Sequence, residues 1–110
     1  MHELAIAQSV LDTIAARIGD RQVREVRLEI GRLSGVSADS LRFCFELVAV
    51  GTSVAGASLD IVQPVGQARC LTCLDEFVLA DHILLCACGS SDVRLTAGAE
   101  LRILSVEVAG

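Results

Sequence analysis

The chain has 110 residues, and 53% of them are hydrophobic, which is enough for one ordinary domain with a real core and excludes a disordered chain. Its net charge is −5, its sequence pI is about 4.8, and it contains no lysine, so every basic residue is an arginine. Because nucleic-acid binders normally present a basic face, this balance argues against a nucleic-acid partner. It has no apolar run of membrane-spanning length, since Glu46 interrupts the longest candidate.

The first predicted element is an amphipathic helix that begins within a residue or two of Met1 and ends at Gly19. Polar residues lie mostly on its other side. Its apolar positions recur at helical spacing and comprise Leu4, Ala7, Val10, Leu11, Ile14 and Ile18.

Alternating apolar residues from Val26 to Ile30 then predict a half-buried strand. After a short turn, Ser37 is the expected N-cap of a second helix, which Gly51 ends. The apolar stripe of this helix consists of Leu41, Cys44, Phe45 and Val48. The fifth cysteine, Cys44, is therefore best explained as a small buried hydrophobic residue.

Leu59 and Ile61 alternate with Asp60 in a second strand, and Leu101 to Val108 predicts a third. Between them, residues 65–98 form a cysteine-containing module too short to bury a core unaided. We expect an α+β fold in which two helices pack on a three-stranded sheet and the last strand returns to that sheet. The predicted domains are 1–64 plus 99–110 and the inserted module 65–98.

Four cysteines in the module predict a metal site. Cys70 and Cys73 form one close pair, Cys86 and Cys88 form another, and Gly89 can adopt the positive φ that the second turn requires. Two tight turns that each supply two thiolates are typical of structural zinc, and iron is an alternative. Two disulfides or unlinked core cysteines are the other interpretations. Because the sequence shows no secretory signal, we expect a reducing cytoplasm, where cysteine pairs favour metal.

His2 is the second candidate ligand. An imidazole at position two can chelate one square-planar cation together with the terminal amine and a deprotonated backbone amide, and such nitrogen sites select Ni(II) or Cu(II). The alternative is a solvated chain end. In the loop between the cysteine pairs, His82 is either a solvent-facing residue or a proton-sensitive group near zinc.

Several short motifs resemble, in order, those of the HypA/HybF family of hydrogenase nickel-incorporation proteins over essentially the whole chain. They are Met1-His2-Glu3-Leu4, Leu28-Glu29-Ile30-Gly31 with Ser34, Phe43-Cys44-Phe45-Glu46, the two cysteine pairs with Gly89-Ser90, and Ser105-Val106-Glu107-Val108. The second cysteine pair is one residue shorter than the commoner family form. Some relatives also carry an acidic residue where this chain has Ser37, and that role is not transferred to Asp39.

The resemblance implies a nickel metallochaperone rather than an enzyme. It implies that His2 is a nickel ligand, that Glu3 adds a carboxylate or orients His2, and that Cys70, Cys73, Cys86 and Cys88 hold zinc. It also implies nickel transfer to the [NiFe]-hydrogenase large subunit with the partner GTPase HypB, by a monomer or weak homodimer.

Three other functions are compatible with parts of the sequence. In the first, the protein is a zinc-dependent protein-interaction adaptor in which His2 is incidental. In the second, Cys70 and Cys73 are a redox dithiol, but no helix pattern follows Cys73 to lower a thiol pKa. A nucleic-acid-binding zinc ribbon is disfavoured by the charge and by the presence of only three aromatic residues.

Overall fold

The computed structural model describes residues 2–110 and contains two helices and two three-stranded sheets. In chain order the elements are α1 (Glu3–Ile18), β1 (Val23–Ile30), α2 (Ala38–Ala49), β2 (Ser58–Val62), β3 (Gly66–Cys70), β4 (Glu76–Leu79), β5 (Val93–Ala97) and β6 (Leu101–Val108). The molecule is elongated, with principal extents of 53 × 26 × 19 Å. Within residues 2–110, no helix is long and apolar enough to cross a membrane.

The first sheet has the order β2-β1-β6, in which β2 runs parallel and β6 antiparallel to the central strand β1. Both helices contribute buried side chains to its core, among them Ile14 of α1 and Phe45 of α2. This arrangement confirms the predicted α+β class, with two helices on a three-stranded sheet. The return of the last strand to this sheet is also confirmed, because β6 pairs with β1 after the whole inserted module.

Helix α1 begins where expected, but one position of its predicted apolar stripe is wrong. Leu4 is 55% exposed, whereas the neighbouring Glu3 is buried and shares a face with Ala7 and Val10. The spacing 3, 7, 10, 14 fits a helical face as well as one that starts at residue 4. A hydrophobicity pattern selects Leu4 rather than Glu3 for the buried face. Such a pattern takes no account of a polar partner that can stabilise a buried carboxylate.

The N-cap prediction for α2 is confirmed: the Ser37 hydroxyl accepts a hydrogen bond from the Ser40 amide at 3.3 Å. The helix ends at Ala49, and Gly51 adopts a φ of 78° just beyond it. Leu41 and Phe45 are fully buried, and Cys44 is half-buried against the core. Cys44 therefore packs as the small hydrophobic residue that the sequence indicates.

The module contains a second sheet, of order β4-β3-β5 and antiparallel throughout, whose strands the sequence analysis did not assign. Each strand has only four or five residues, which is too short for alternation to stand out from the flanking turns. The core of the module is correspondingly small. It consists of Ala68, Cys70, Leu79, Cys86 and Val93, together with Leu33 from the turn after β1.

Leu33 connects the first sheet to the module. It is 8% exposed within the module core, and its amide donates to the Gly98 carbonyl at 2.8 Å. The chain enters the module at Gly66 and leaves it at Gly98, and both pack closely beside Leu33 and Gly31. A Cβ added at Gly31 would overlap the Gly98 carbonyl, and one added at Gly66 would overlap the Leu33 side chain. Glycine is thus required here by close approach.

We expect Leu33→Ala to destabilise the module by about 2 kcal/mol, because it removes a buried side chain from a core that cannot close without it. Since folding of the module and zinc binding are coupled, zinc affinity should fall by roughly thirtyfold. Competition with a chromophoric chelator would measure this loss. Leu47→Ala is the matched control, since Leu47 is 54% exposed. Equal zinc affinity in the parent and both variants would contradict a structural role for Leu33.

Candidate metal sites

The first cysteine pair lies in a tight turn at the end of β3. Cys70 is the last residue of that strand, and its carbonyl accepts from the Leu74 amide at 2.9 Å. The Cys73 amide points at the Cys70 sulfur at 3.5 Å. Leu74 adopts a φ of 68°, an uncommon conformation for a residue other than glycine. The turn therefore reverses within four residues and presents both sulfurs on one side.

The second pair forms a similar turn in spite of its shorter spacing. The Cys86 amide donates to the Ser90 carbonyl, and the Gly89 amide donates to the Cys86 carbonyl, both at 2.9 Å. The Cys88 amide points at the Cys86 sulfur at 3.5 Å. Gly89 adopts a φ of 94°, as its position in the sequence predicts. A Cys-x-Cys pair can close this turn because Gly89 can adopt the positive φ that the sharper reversal of the chain requires.

The two turns bring four sulfurs together, all within 4.8 Å of one another. The Sγ atoms of Cys70 and Cys88 are 3.7 Å apart, and those of Cys73 and Cys86 are 3.6 Å apart. Tetrahedral zinc with Zn–S bonds of about 2.3 Å requires sulfur separations of about 3.8 Å. A disulfide would require about 2.05 Å, and all five cysteines are free. The donor set and its spacing therefore fit zinc.

Local hydrogen bonds prepare one of these thiols to ionise. The pKa of Cys70 is lowered to about 6, chiefly because the Cys73 amide donates to its sulfur. The pKa of Cys73 is raised: the Asp75 amide favours its thiolate, but partial desolvation of the sulfur and its contacts with the Cys86 and Cys70 sulfurs outweigh that effect. Four crowded sulfurs cannot all carry a charge without a cation. The cluster therefore favours a bound divalent metal over four free thiolates.

The amino-terminal candidates occupy different environments. His2 is exposed at the N-cap position of α1, and its side chain makes no capping hydrogen bond. Glu3 is 8% exposed, and its carboxylate accepts from the Ser37 amide of the α2 N-terminus at 3.1 Å. Met1, whose amine is a candidate donor, lies outside the described residues. An exposed imidazole therefore lies next to a buried, anchored carboxylate.

Hydrogen bonds keep Glu3 ionised. The pKa of Glu3 is lowered to about 2 by hydrogen bonds to its carboxylate, among them the one that the Ser37 amide donates. Sequence reasoning missed the partnership with Ser37, because the two residues are 34 positions apart and only the packing of α1 on α2 joins them. The one sequence signal that could have indicated this contact is a glutamate that shares a helix face with the apolar residues Ala7 and Val10.

His82 lies apart from the four cysteines. It is exposed, and its Nε2 lies 3.3 Å from the carbonyl oxygen of Leu33. Among residues 2–110, the four-cysteine cluster is the only group of three or more histidine, cysteine or acidic side chains close enough together to hold a metal. His82 is thus a solvent-exposed loop residue, which is the first of the two interpretations from the sequence. It contacts the turn that carries Leu33.

A two-layer α+β body with an inserted four-cysteine module defines a small metal-binding accessory protein. A family profile described as hydrogenase/urease nickel incorporation, metallochaperone, hypA matches residues 1–108, and the chain belongs to this family. The family is thus one of metallochaperones and maturation factors rather than enzymes.

Relatives and solved structures agree with this assignment. The chain is 38% identical over 109 residues to the hydrogenase maturation factor HypA of Rippkaea orientalis, covering 98% of this chain and 96% of that protein. It is 42% identical over 109 residues to the hydrogenase maturation factor HypA of Geotalea uraniireducens, covering 98% of this chain and 99% of that protein. The solution structure of the Ni metallochaperone HypA from Helicobacter pylori superposes with a TM-score of 0.68 at 27% identity, covering 98% of this chain and 97% of that one.

Proposed function

We propose that this protein binds Ni(II) through His2 and delivers it to the [NiFe]-hydrogenase large subunit, in the cytoplasm and with a HypB-like partner GTPase. The observation that carries the proposal is the exposed, uncommitted imidazole at the start of α1 in a chain that matches the nickel-incorporation family from residue 1 onward. Cargo must be released to a client. A site at a chain end, with few ligands and open to solvent, suits release better than a closed cage.

In this proposal the two metals have different tasks. Residues 1–64 with 99–110 form the nickel-binding domain, and residues 65–98 form the zinc-binding domain. Zinc bound by Cys70, Cys73, Cys86 and Cys88 is resident and structural, because two of these ligands, Cys70 and Cys86, belong to the core of the module. Nickel is cargo. Its ligands are His2 with the first backbone amides.

Glu3 acts on His2 indirectly in this scheme. Its carboxylate accepts the Ser37 hydrogen bond and is largely buried, so it holds the first turn of α1 against α2. That contact fixes the direction in which the chain leaves the helix toward His2. Its negative charge also favours a cation beside it.

We expect His2→Ala to remove stoichiometric nickel binding while zinc content and thermal unfolding stay unchanged. The His2 side chain is exposed, so its loss removes a ligand without opening the core. Isothermal titration of zinc-loaded protein with Ni(II) measures the effect. His82→Ala is the matched control, because it removes the only other histidine and should retain nickel.

Nickel binding by His2→Ala equal to that of the parent would refute the proposal and favour the zinc-dependent adaptor, in which His2 has no role. A loss in His82→Ala instead would move the site to the module loop. Delivery needs a second assay, in which nickel-loaded parent and His2→Ala proteins are incubated with an apo large subunit and GTPase, and nickel in the large subunit is counted.

A further inference from the structure

Two hydroxyl side chains join the cysteine turns of the module. Thr72 lies in the first turn (70–74), Ser90 ends the second turn (86–90), and the Thr72 Oγ1 and Ser90 Oγ atoms are 2.8 Å apart. This separation is that of a good O–H···O hydrogen bond. Apart from contacts between sulfurs, it is the only hydrogen bond that joins these two turns in the part of the chain that the structure describes.

The hydroxyl pair continues the hydrogen-bond ladder between β3 and β5. The two strands are antiparallel, and just outside them the Leu71 amide donates to the Asp92 carbonyl at 2.8 Å. Thr72 and Ser90 follow, so a bond between side chains takes the place of the next backbone rung. The Asp92 amide also donates to the Ser90 hydroxyl at 3.0 Å. The serine hydroxyl is therefore held in place from its own turn and from the opposite one.

The same two residues supply backbone donors to the metal ligands. Besides the Cys73 amide, which is the main donor, the Thr72 amide favours the Cys70 thiolate. The Ser90 amide favours the Cys88 thiolate. The Cys70 and Cys88 sulfurs are 3.7 Å apart and form one edge of the four-sulfur cluster. Because a hydrogen bond donated to a thiolate stabilises its charge, a contact that fixes Thr72 and Ser90 also supports this edge.

We propose that the Thr72 and Ser90 hydroxyls form a clasp that positions the amide donors on Cys70 and Cys88 and slows the loss of zinc. This inference rests on the zinc site of the proposed function and adds two positioning residues that do not touch the metal. Each turn supplies two of the four sulfurs, so a competing chelator reaches the metal when one turn moves away from the other. The clasp opposes that movement.

Exposure to solvent limits the size of the effect. Thr72 is exposed and Ser90 is half-buried, so water competes for both hydroxyls when the clasp opens. A neutral hydrogen bond then changes an equilibrium or a rate by a factor of roughly two to ten. Losing the clasp should therefore accelerate the release of zinc several-fold without preventing its binding.

The test measures the rate at which a chromophoric chelator removes zinc from the full-length protein. Thr72→Val keeps the branched shape of the side chain and its backbone amide but removes the hydroxyl, and it should accelerate zinc release about fivefold. Thr72→Ser retains a hydroxyl and should release zinc at the parent rate. Thr96→Val is the matched control, because Thr96 is an exposed threonine of β5 in the same module and should not affect the rate.

Cobalt substitution tests the sulfur donors separately from the fold. Zinc is a d¹⁰ ion without a useful absorption band, but Co(II) bound by four thiolates has sulfur-to-metal charge-transfer bands whose energy depends on hydrogen bonds to the sulfurs. These bands should move to longer wavelength in Thr72→Val, because a thiolate that accepts weaker hydrogen bonds gives up an electron more easily. Thr72→Ser should restore the parent spectrum. A side chain that only packs would leave the bands in place.

A double-mutant cycle shows whether the two hydroxyls act as a pair. Ser90→Ala removes the partner hydroxyl and also the acceptor of the Asp92 amide, so it should accelerate zinc release more than Thr72→Val does. Once Ser90 is replaced, Thr72 has lost its partner. Adding Thr72→Val to Ser90→Ala should therefore change the rate no further. Two effects that simply add would overturn the clasp.

Failure of the clasp and failure of the zinc site give different results. A parent protein without one tightly held zinc would overturn the four-cysteine site, and the clasp with it. A parent that holds one zinc, together with a Thr72→Val variant that releases it at the parent rate and keeps the parent cobalt spectrum, would overturn the clasp alone. Circular dichroism and zinc stoichiometry before the chelator is added verify that each variant is folded.

Discussion

Replacing Cys73 with serine is expected to release zinc and to unfold residues 65–98 while the first sheet and its helices stay intact. Cys73 is exposed, so the substitution removes a metal ligand with little change in packing. The binding of structural zinc contributes about 10–16 kcal/mol to the folding free energy of small metal-dependent modules. Loss of one ligand in four corresponds to roughly 3 kcal/mol, which lowers the zinc affinity about a hundredfold or more. The remaining core of the module holds few side chains besides two other zinc ligands, Cys70 and Cys86.

The measurement combines metal analysis after a chelator wash with amide NMR spectra. Signals of β3, β4 and β5 should collapse, and Leu33 should shift with them because it loses the core into which it packs. Ile14 and Val26 of the first core should not move. Cys44→Ser is the matched control, and it should retain one zinc per chain, since Cys44 lies on α2. Full zinc in the Cys73→Ser protein with an unchanged spectrum would refute the four-cysteine site.

Extending the chain by a short Gly-Ser segment before Met1 is expected to weaken nickel binding at least about tenfold, or roughly 1.4 kcal/mol, and to abolish the absorption band of square-planar nickel. The extension retains His2, Glu3 and every cysteine. It converts the terminal amine into an amide, a far poorer donor. It also moves the chelate away from a free end, so the first amides must deprotonate inside a continuous chain.

Calorimetry on both forms at neutral pH measures the change, with zinc content and thermal unfolding as controls that should stay constant. Binding to the parent should also weaken as pH falls, because protons compete with the metal for the imidazole and backbone amide nitrogens. Equal nickel affinity in the two forms would mean that side chains alone hold nickel, and the terminal chelate would be wrong. The His2→Ala result remains interpretable in that case, because it tests the imidazole and not the amine.

Local patterns in the sequence were sufficient for much of the fold and for the cysteine cluster. A helical period predicts α1 and α2, and the Ser37 cap is confirmed because capping depends on only three following residues. Two close cysteine pairs predict a four-sulfur cluster because each pair acts within one turn. The same locality explains the agreement for β6, whose β-branched residues mark it as a strand.

Only the tertiary structure decided which distant residues meet. Glu3 is buried against Ser37, and Leu33 completes the core of the module. A glutamate on an apolar helix face is the only hint of the first contact, and neither spacing nor composition indicates the second. Both depend on how elements far apart in sequence pack together. Even the pairing of β6 is decided at this level. Its composition predicts a strand, but the bulge at Leu104, which only pairing with β1 reveals, sorts its side chains into an apolar face and a charged one.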